Sequence, residues 1–371
     1  MKVRAEGAVR IWDLPTRLFH WLLVAAVTFE LTTGLVAPKW WMGRHIWVGY
    51  AIAILLAFRL VWAFLGSGFS RLRSFMFSPH EAIAHLRAMA RRQPRHYLGH
   101  NPAGAMMIFA LVLSLAALAA TGMFVQGGYL KQGPFSGLTT FAAGSILRSI
   151  HQLFAYLVLG LVAGHLGGVL AGSLVFRERL IGAMIDGRKP LAAGESVPAA
   201  EAARPVAAIA WLVAILAGGG AILAAAWTLP PMGVPDMPTN AAMLDECGAC
   251  HHPYHPSLLP RASWAALMAG LAHHFGEDAS LPDPRRDEIA AYLEKYAAEA
   301  WDTLPAHRFS VVSPDEPLRI TATPAWQRLH RSLKPADFAQ PAVRSKINCV
   351  ACHGDADSGR FAPQSIAIPG R

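Results

Sequence analysis

Five stretches of the chain read as near-continuous apolar runs, roughly 18–37, 46–66, 103–126, 150–173 and 206–229. Each approaches or exceeds the ~20 helical residues that a bilayer crossing requires. The first is the least apolar, because Glu30 and several threonines interrupt it. No short apolar segment ends in a small-residue cleavage site, so the first run is expected to act as an uncleaved insertion signal. Beyond residue 230 the pattern changes. "TLPPMGVPDMP" has no helical periodicity and reads as a linker by composition. About 130 residues of mixed polarity follow it. The pattern predicts an all-α protein: transmembrane helices, then a small, mostly α domain.

Composition agrees with that pattern. Of 371 residues, 54% are hydrophobic and 15% charged, too apolar for an ordinary soluble protein. The formal charge of +9 does not point to a nucleic-acid partner, because no recognition motif accompanies the basic residues. Those residues orient the chain instead. Lys2, Arg4, Arg10, Arg17, six arginines in 67–102 and five basic residues in 174–205 face one side, fifteen in all. Lys39, Arg44, Lys131 and Arg148, four in all, face the other. The positive-inside rule places the N-terminus in the cytoplasm, and five crossings place everything after residue 230 in the periplasm of a bacterial inner membrane.

All four cysteines lie in that last region, in "CGACH" (Cys247, Cys250, His251) and "CVACH" (Cys349, Cys352, His353). Two thiols at C-x-x-C spacing can form thioethers to one haem, and the next imidazole can reach its iron, so the motif is the c-type haem attachment signature. A four-cysteine zinc site or disulfides would leave both histidines unexplained. A sixth ligand is available from His252, His255, His273, His274, His307 or His330, or from Met243 or Met268. Its identity matters, because Met/His ligation raises the potential.

Histidines also occur inside the apolar runs. "HQLFAYLVLGLVAGH" carries His151 and His165, fourteen residues apart. On a helix that separation is ~1400° of rotation and ~21 Å of rise, so both lie on one face near opposite leaflets. An ionisable residue at such a depth is a functional candidate. Two stacked imidazoles suit two stacked haems, with Gly160, Gly164, Gly167 and Gly168 leaving room beside the helix. By depth, His20 in the first run would pair with His165, and His45 at the start of the second with His151. His100 reads as a cap or interface residue, and His80, His85 and His96 as solvated. Arg59 either snorkels to the interface or meets a haem propionate.

"VRIWDLPTRLFHWLLV", "RHIWVGYAIAILLAFRLVWAFLG", "GHNPAGAMMIFALVLSLAALAATGMF" and "RERLIGAMIDGRKP" closely resemble the prokaryotic cytochrome b561 family, which includes the b-type subunit of nickel–iron hydrogenases. The resemblance covers about residues 9–190. It implies a four-helix bundle binding two haem b, with His20, His45, His151 and His165 matching the family's haem histidines. "DECGACHHPYHPSLLPRASWAALMAGLAHHFGEDASL", "PLRITATPAWQRLH" and "NCVACHGDADSGRFAPQSIAIPG" resemble the di-haem cytochrome c domain, over roughly 240–371. That resemblance implies two covalently bound haem c. It makes His274 and His330 the distal ligands, with their assignment to the two haems open.

The expected organisation is therefore a b561-like domain over 1–190, a connection with the fifth helix and linker over 191–239, and a periplasmic di-haem domain over 240–371. The expected function is electron transfer between membrane quinone and a soluble periplasmic redox protein. Quinol is the expected donor, and a small oxygen-binding haem protein is the partner the second resemblance implies. The chain would then be an electron-transfer protein or a quinol:cytochrome-type oxidoreductase. It would work alone, as a homodimer, or as the membrane cytochrome of a larger complex such as a hydrogenase. A reductase or oxidase of superoxide or ferric iron is the enzymatic alternative.

Overall fold

The computed structural model describes residues 8–93, 95–191 and 201–370. Lys2 and Arg4, counted above among the cytoplasmic charges, lie outside the described residues. The principal helices are α1 (Leu14–Leu35), α2 (Met42–Leu65), α3 (Pro79–Ala90), α4 (Pro102–Gly128), α5 (Phe141–Leu170), α6 (Leu180–Asp186) and α7 (Pro205–Trp227), then α8 (Ala241–Gly248), α9 (Arg261–Ala269), α10 (Asp283–Lys295), α11 (Leu304–Phe309), α12 (Pro324–His330) and α13 (Pro335–Phe338). Among the described residues, five helices are long and apolar enough to cross a membrane: α1, α2 with its preceding turn, α4, α5 with the π-helical turn Ala171–Val175, and α7. They start up to nine residues earlier than the apolar runs suggest, because capping residues and polar first turns extend each helix beyond its apolar centre.

The chain divides into two compact units, Met1–Ala37 with Arg44–Gly122 and Arg148–Ala224, and Pro38–Gly43 with Met123–Leu147 and Ala225–Arg371. In the first, Val27, Ile52, Leu115 and Val158 bury together, one each from α1, α2, α4 and α5. Large apolar residues such as Leu22, Ile146, Leu153 and Trp211 remain exposed on these helices, as lipid-facing positions require. α1 starts at Asp13, whose carboxylate accepts from Thr16 N–H at 2.8 Å, Trp62 Nε1 at 3.0 Å and Ser70 Oγ at 3.1 Å. One acidic side chain thus caps α1 and ties it to the end of α2.

The threonines that weaken the first run cost little, because Thr28, Thr32 and Thr33 each donate to the carbonyl four residues back. Arg59 reaches toward the segment that follows α2, donating to Ser70 O at 3.2 Å and lying 5.1 Å over the Phe75 ring. His85 is buried edge-on to Tyr97, not solvated as expected from its basic loop. His100 packs between Trp12 and Phe75, and the residue that caps the start of α4 is Asn101, which accepts from Gly104 N–H at 2.7 Å. Two three-residue strands, β1 (Ala8–Arg10) and β2 (Arg188–Pro190), pair antiparallel and are too short to register as alternation in the sequence.

The second unit is helical apart from isolated bridges, with a core of Leu258, Leu259, Trp264, Met268, Ile289, Leu293 and neighbours. The proline-rich stretch is not a loose linker. Met232 N–H donates to Ser136 O, Asp302 N–H donates to Gly233 O, and Val234 and Met237 pack on Trp301 and Ala306. Asp302 organises the surroundings. Its Oδ2 accepts from the buried Lys131 ammonium at 2.9 Å and from Phe141 N–H at 2.8 Å, and its Oδ1 faces His307 Nε2 at 2.9 Å. His307 stacks on Phe141, and Arg308 donates to the Tyr129 hydroxyl.

Replacing Asp302 by Asn should leave Lys131 buried without its counter-charge and destabilise this unit by about 3 kcal/mol. Burial alone would raise the Asp302 carboxyl, but hydrogen bonds from Lys131, His307 and Phe141 N–H hold it below the ordinary carboxylate value. The stabilisation is therefore present at neutral pH and is lost as pH falls through the depressed folded value. Thermal melts followed by tryptophan fluorescence should show a lower midpoint for D302N at pH 7 and convergence with the parent in strong acid. Equal midpoints at pH 7 would contradict the role given to Asp302.

Candidate functional site

Each of the four candidate sites is a pair of imidazoles. In the first unit, His20 on α1 faces His165 on α5 with ring centroids 6.4 Å apart, and His45 on α2 faces His151 on α5 at 6.2 Å. In the second, His251 faces His274 at 6.2 Å and His330 faces His353 at 6.1 Å. Imidazole–metal bonds of about 2 Å on each side, plus ring radii of about 1.1 Å, give a separation of about 6 Å across one ion. Among the described residues no three His, Cys, Asp or Glu converge on a metal-ion cage. Two opposed nitrogens suit a metal that brings its own four in-plane donors, as haem iron does.

Local devices aim the membrane imidazoles. Thr121 Oγ1 donates to Ala117 O at 2.7 Å and lies 3.0 Å from His151 Nδ1, so it accepts the Nδ1 proton. Thr33 Oγ1 likewise donates to Phe29 O and lies 3.0 Å from His45 Nδ1. With the proton on Nδ1, the Nε2 lone pair is free to bind metal. The next residue in each case is glycine. A Cβ at Gly34 would stand 3.3 Å from His45 Cε1, and one at Gly122 would stand 3.3 Å from His151 Cε1. This Thr-Gly pair, in "TTGL" and "ATGM", is the sequence signal that reading the histidines alone misses. Of Gly160, Gly164, Gly167 and Gly168 on α5, only Gly164 is closely approached, by Met107, and open space lies over the others. At the cytoplasmic pair, His20 Nδ1 is buried and finds no hydrogen-bond partner among the described residues.

In the second unit the backbone aims the rings. "CGACH" begins at the end of α8, whose cap Asn240 accepts from Met243 N–H at 2.7 Å. His251 Nδ1 lies 2.8 Å from His252 O, and its ring stacks on Tyr254. His274 is presented by a tight turn closed by a bridge to Glu277, where Phe275 and Gly276 both take positive φ. His330 ends α12, capped by Thr323; its Nδ1 lies 2.9 Å from Trp326 O and its ring stacks on that indole. His353 packs edge-on to Phe361.

The remaining sixth-ligand candidates are engaged elsewhere. Met243 and Met268 are sealed in the core. His252 meets Asp357, His255 bonds Ser257 beneath Trp301, His307 meets Asp302, and His273 is exposed in its turn. Among the described residues the four thiols form no disulfide. Burial pushes the Cys349 thiol up to about 11 and also raises Cys247 and Cys352. Burial lowers His353 to about 4 and also lowers His274 and His330, so these rings are neutral at pH 7, the form that binds a metal.

Comparison with known proteins matches the two regions separately. The family model for prokaryotic cytochrome b561 matches residues 11–187, and that for dihaem cytochrome c matches 243–361. A "Probable Ni/Fe-hydrogenase B-type cytochrome subunit" of Azotobacter chroococcum mcd 1 is 26% identical over 217 residues, covering 50% of this chain and 90% of that protein. A "Probable Ni/Fe-hydrogenase 1 B-type cytochrome subunit" of Escherichia coli (strain K12) is 24% identical over 221 residues, covering 50% of this chain and 94% of that protein. The solved diheme cytochrome c from Rhodobacter sphaeroides is 41% identical, covering 33% of this chain and 97% of that chain, with a TM-score of 0.29.

Removing the Nδ1 acceptor should loosen what the imidazole holds. Thr121→Val is expected to weaken haem b retention by about 10- to 100-fold. The ratio of extractable to covalent haem after detergent dilution measures it. A ratio equal to the parent's would contradict the role assigned to Thr121.

Proposed function

Because this chain joins a prokaryotic cytochrome b561 domain to a dihaem cytochrome c domain, we propose that it is the membrane cytochrome of a larger redox complex, carrying electrons from a periplasmic partner to quinone. Electron transfer through b and c haems between the membrane and a periplasmic partner follows from the family assignments. Haem would supply reversible one-electron iron chemistry when bound; the chain would supply imidazole nitrogens, burial and spacing. His20 with His165 and His45 with His151 would hold the two b haems. His251 with His274, beside Cys247 and Cys250, and His330 with His353, beside Cys349 and Cys352, would hold the two c haems.

The observation that carries the direction is the donor set of the c sites. Both pair two imidazoles while Met243 and Met268 stay in the core. Without a thioether ligand the potential stays comparatively low. Low-potential c haems suit a strongly reducing donor better than a quinol-fed route to an oxidant, so this reading reverses the outward flow expected from the sequence. The relatives named as hydrogenase cytochrome subunits favour the complex-subunit role as well.

Two experiments test the proposal on the full-length protein. His45→Ala and His151→Ala should each remove the same haem b component, and His20→Ala and His165→Ala the other, counted as pyridine haemochrome. Shared loss between His20→Ala and His151→Ala would overturn the pairing. In anaerobic optical titration, added ubiquinol should leave the c bands oxidised, whereas dithionite-reduced c bands should reoxidise on addition of ubiquinone. Full reduction of both c haems by ubiquinol would overturn the direction.

A further inference from the structure

The two membrane pairs differ in charge. His45 Nδ1 lies 2.9 Å from Glu30 Oε2, in addition to its contact with Thr33. His151 meets the neutral hydroxyl of Thr121 and the backbone carbonyl of Leu118, neither of them charged, and His20 Nδ1 finds no hydrogen-bond partner among the described residues. Glu30 sits ten residues beyond His20 on α1, inside the first membrane span. Both side chains of the Glu30–His45 pair are largely buried, at 15% and 18% exposure. The second oxygen, Oε1, is buried with no hydrogen-bond partner among the described residues. An acidic group held at this depth needs a hydrogen-bond donor, and His45 Nδ1 is placed to be one.

We propose that Glu30 is a positioning residue that sets the potential of the periplasmic-side b site. The inference rests on His45 being a haem ligand, as proposed above. A carboxylate accepting the Nδ1 proton makes the imidazole a stronger electron donor through Nε2. The donor strength and the nearby negative charge both favour ferric over ferrous iron, lowering the potential at this site. The cytoplasmic-side pair has no such acceptor at His20. The periplasmic-side site is therefore the lower of the two, and an electron arriving from the periplasm moves downhill toward the cytoplasmic side. Glu30 thereby gives the bundle a built-in direction.

The test is a potentiometric titration of the b bands in full-length E30Q, with the covalent c haems as internal standard for occupancy. E30Q should raise only the component that His45→Ala removes. Its oxidised-to-reduced ratio at a fixed potential should fall about tenfold, equivalent to 59 mV for one electron. An unchanged potential with haem retained would overturn the proposal, as would a shift confined to the component that His20→Ala removes. If E30Q empties the site, E30D decides: haem restored by the shorter carboxylate supports the role, and a site as empty as in E30Q overturns it. If His45→Ala leaves both b components intact, the ligand reading itself fails, which is a separate result.

Discussion

A neutral imidazole must be held in lipid with its Nε2 lone pair free and a second imidazole about 6 Å away, and the first unit is built around meeting that requirement twice. Burial removes water from Nδ1, which then needs an acceptor. Thr33 and Thr121 provide one at low cost, because each hydroxyl passes its own proton to the turn behind it. Glycine at the next position lets the ring lie against the backbone. Val27, Ile52, Leu115 and Val158, drawn from all four helices, fill the space at intermediate positions along α1 and α5. The Asp13 carboxylate, which caps α1 and accepts from Trp62 Nε1, ties together α1 and α2, the helices that carry His20 and His45.

The second unit reaches the same spacing with different means. Outside lipid, backbone carbonyls are available as acceptors, and His251 and His330 use His252 O and Trp326 O. Ring stacking on Tyr254 and Trp326 does the orienting that glycine contacts do in the bundle. A short helix and a tight turn position His330 and His274, so rigidity comes from caps and from positive φ at Phe275 and Gly276. The asymmetry between the two membrane pairs then has a functional meaning that the spacing alone does not: the charge of Glu30 ranks two otherwise similar sites.

Much of this was legible in the sequence, for identifiable reasons. C-x-x-C-H carries its chemistry in five consecutive residues, and the fourteen-residue step from His151 to His165 encodes a shared helix face. Depth alone predicted which of His20 and His45 faces which partner, because membrane topology converts sequence position into height. The assignment of His274 and His330 to their partners was not legible, since it depends on how short helices and turns pack across a hundred residues. Nor was the burial of His85, or the docking of the proline-rich stretch on Trp301 and Ser136, because composition reports solubility and not tertiary contact. Glu30 read as a defect in the first span, and only its neighbour His45 shows what it does.

The central claim is that four pairs of histidines each hold one six-coordinate iron. Low-temperature electron paramagnetic resonance and near-infrared magnetic circular dichroism of the oxidised, full-length protein test it most directly. The account predicts four low-spin haems, two extractable and two covalent, all with bis-imidazole charge-transfer bands. A high-spin signal amounting to one haem, or a methionine–iron band in either c site, would contradict it.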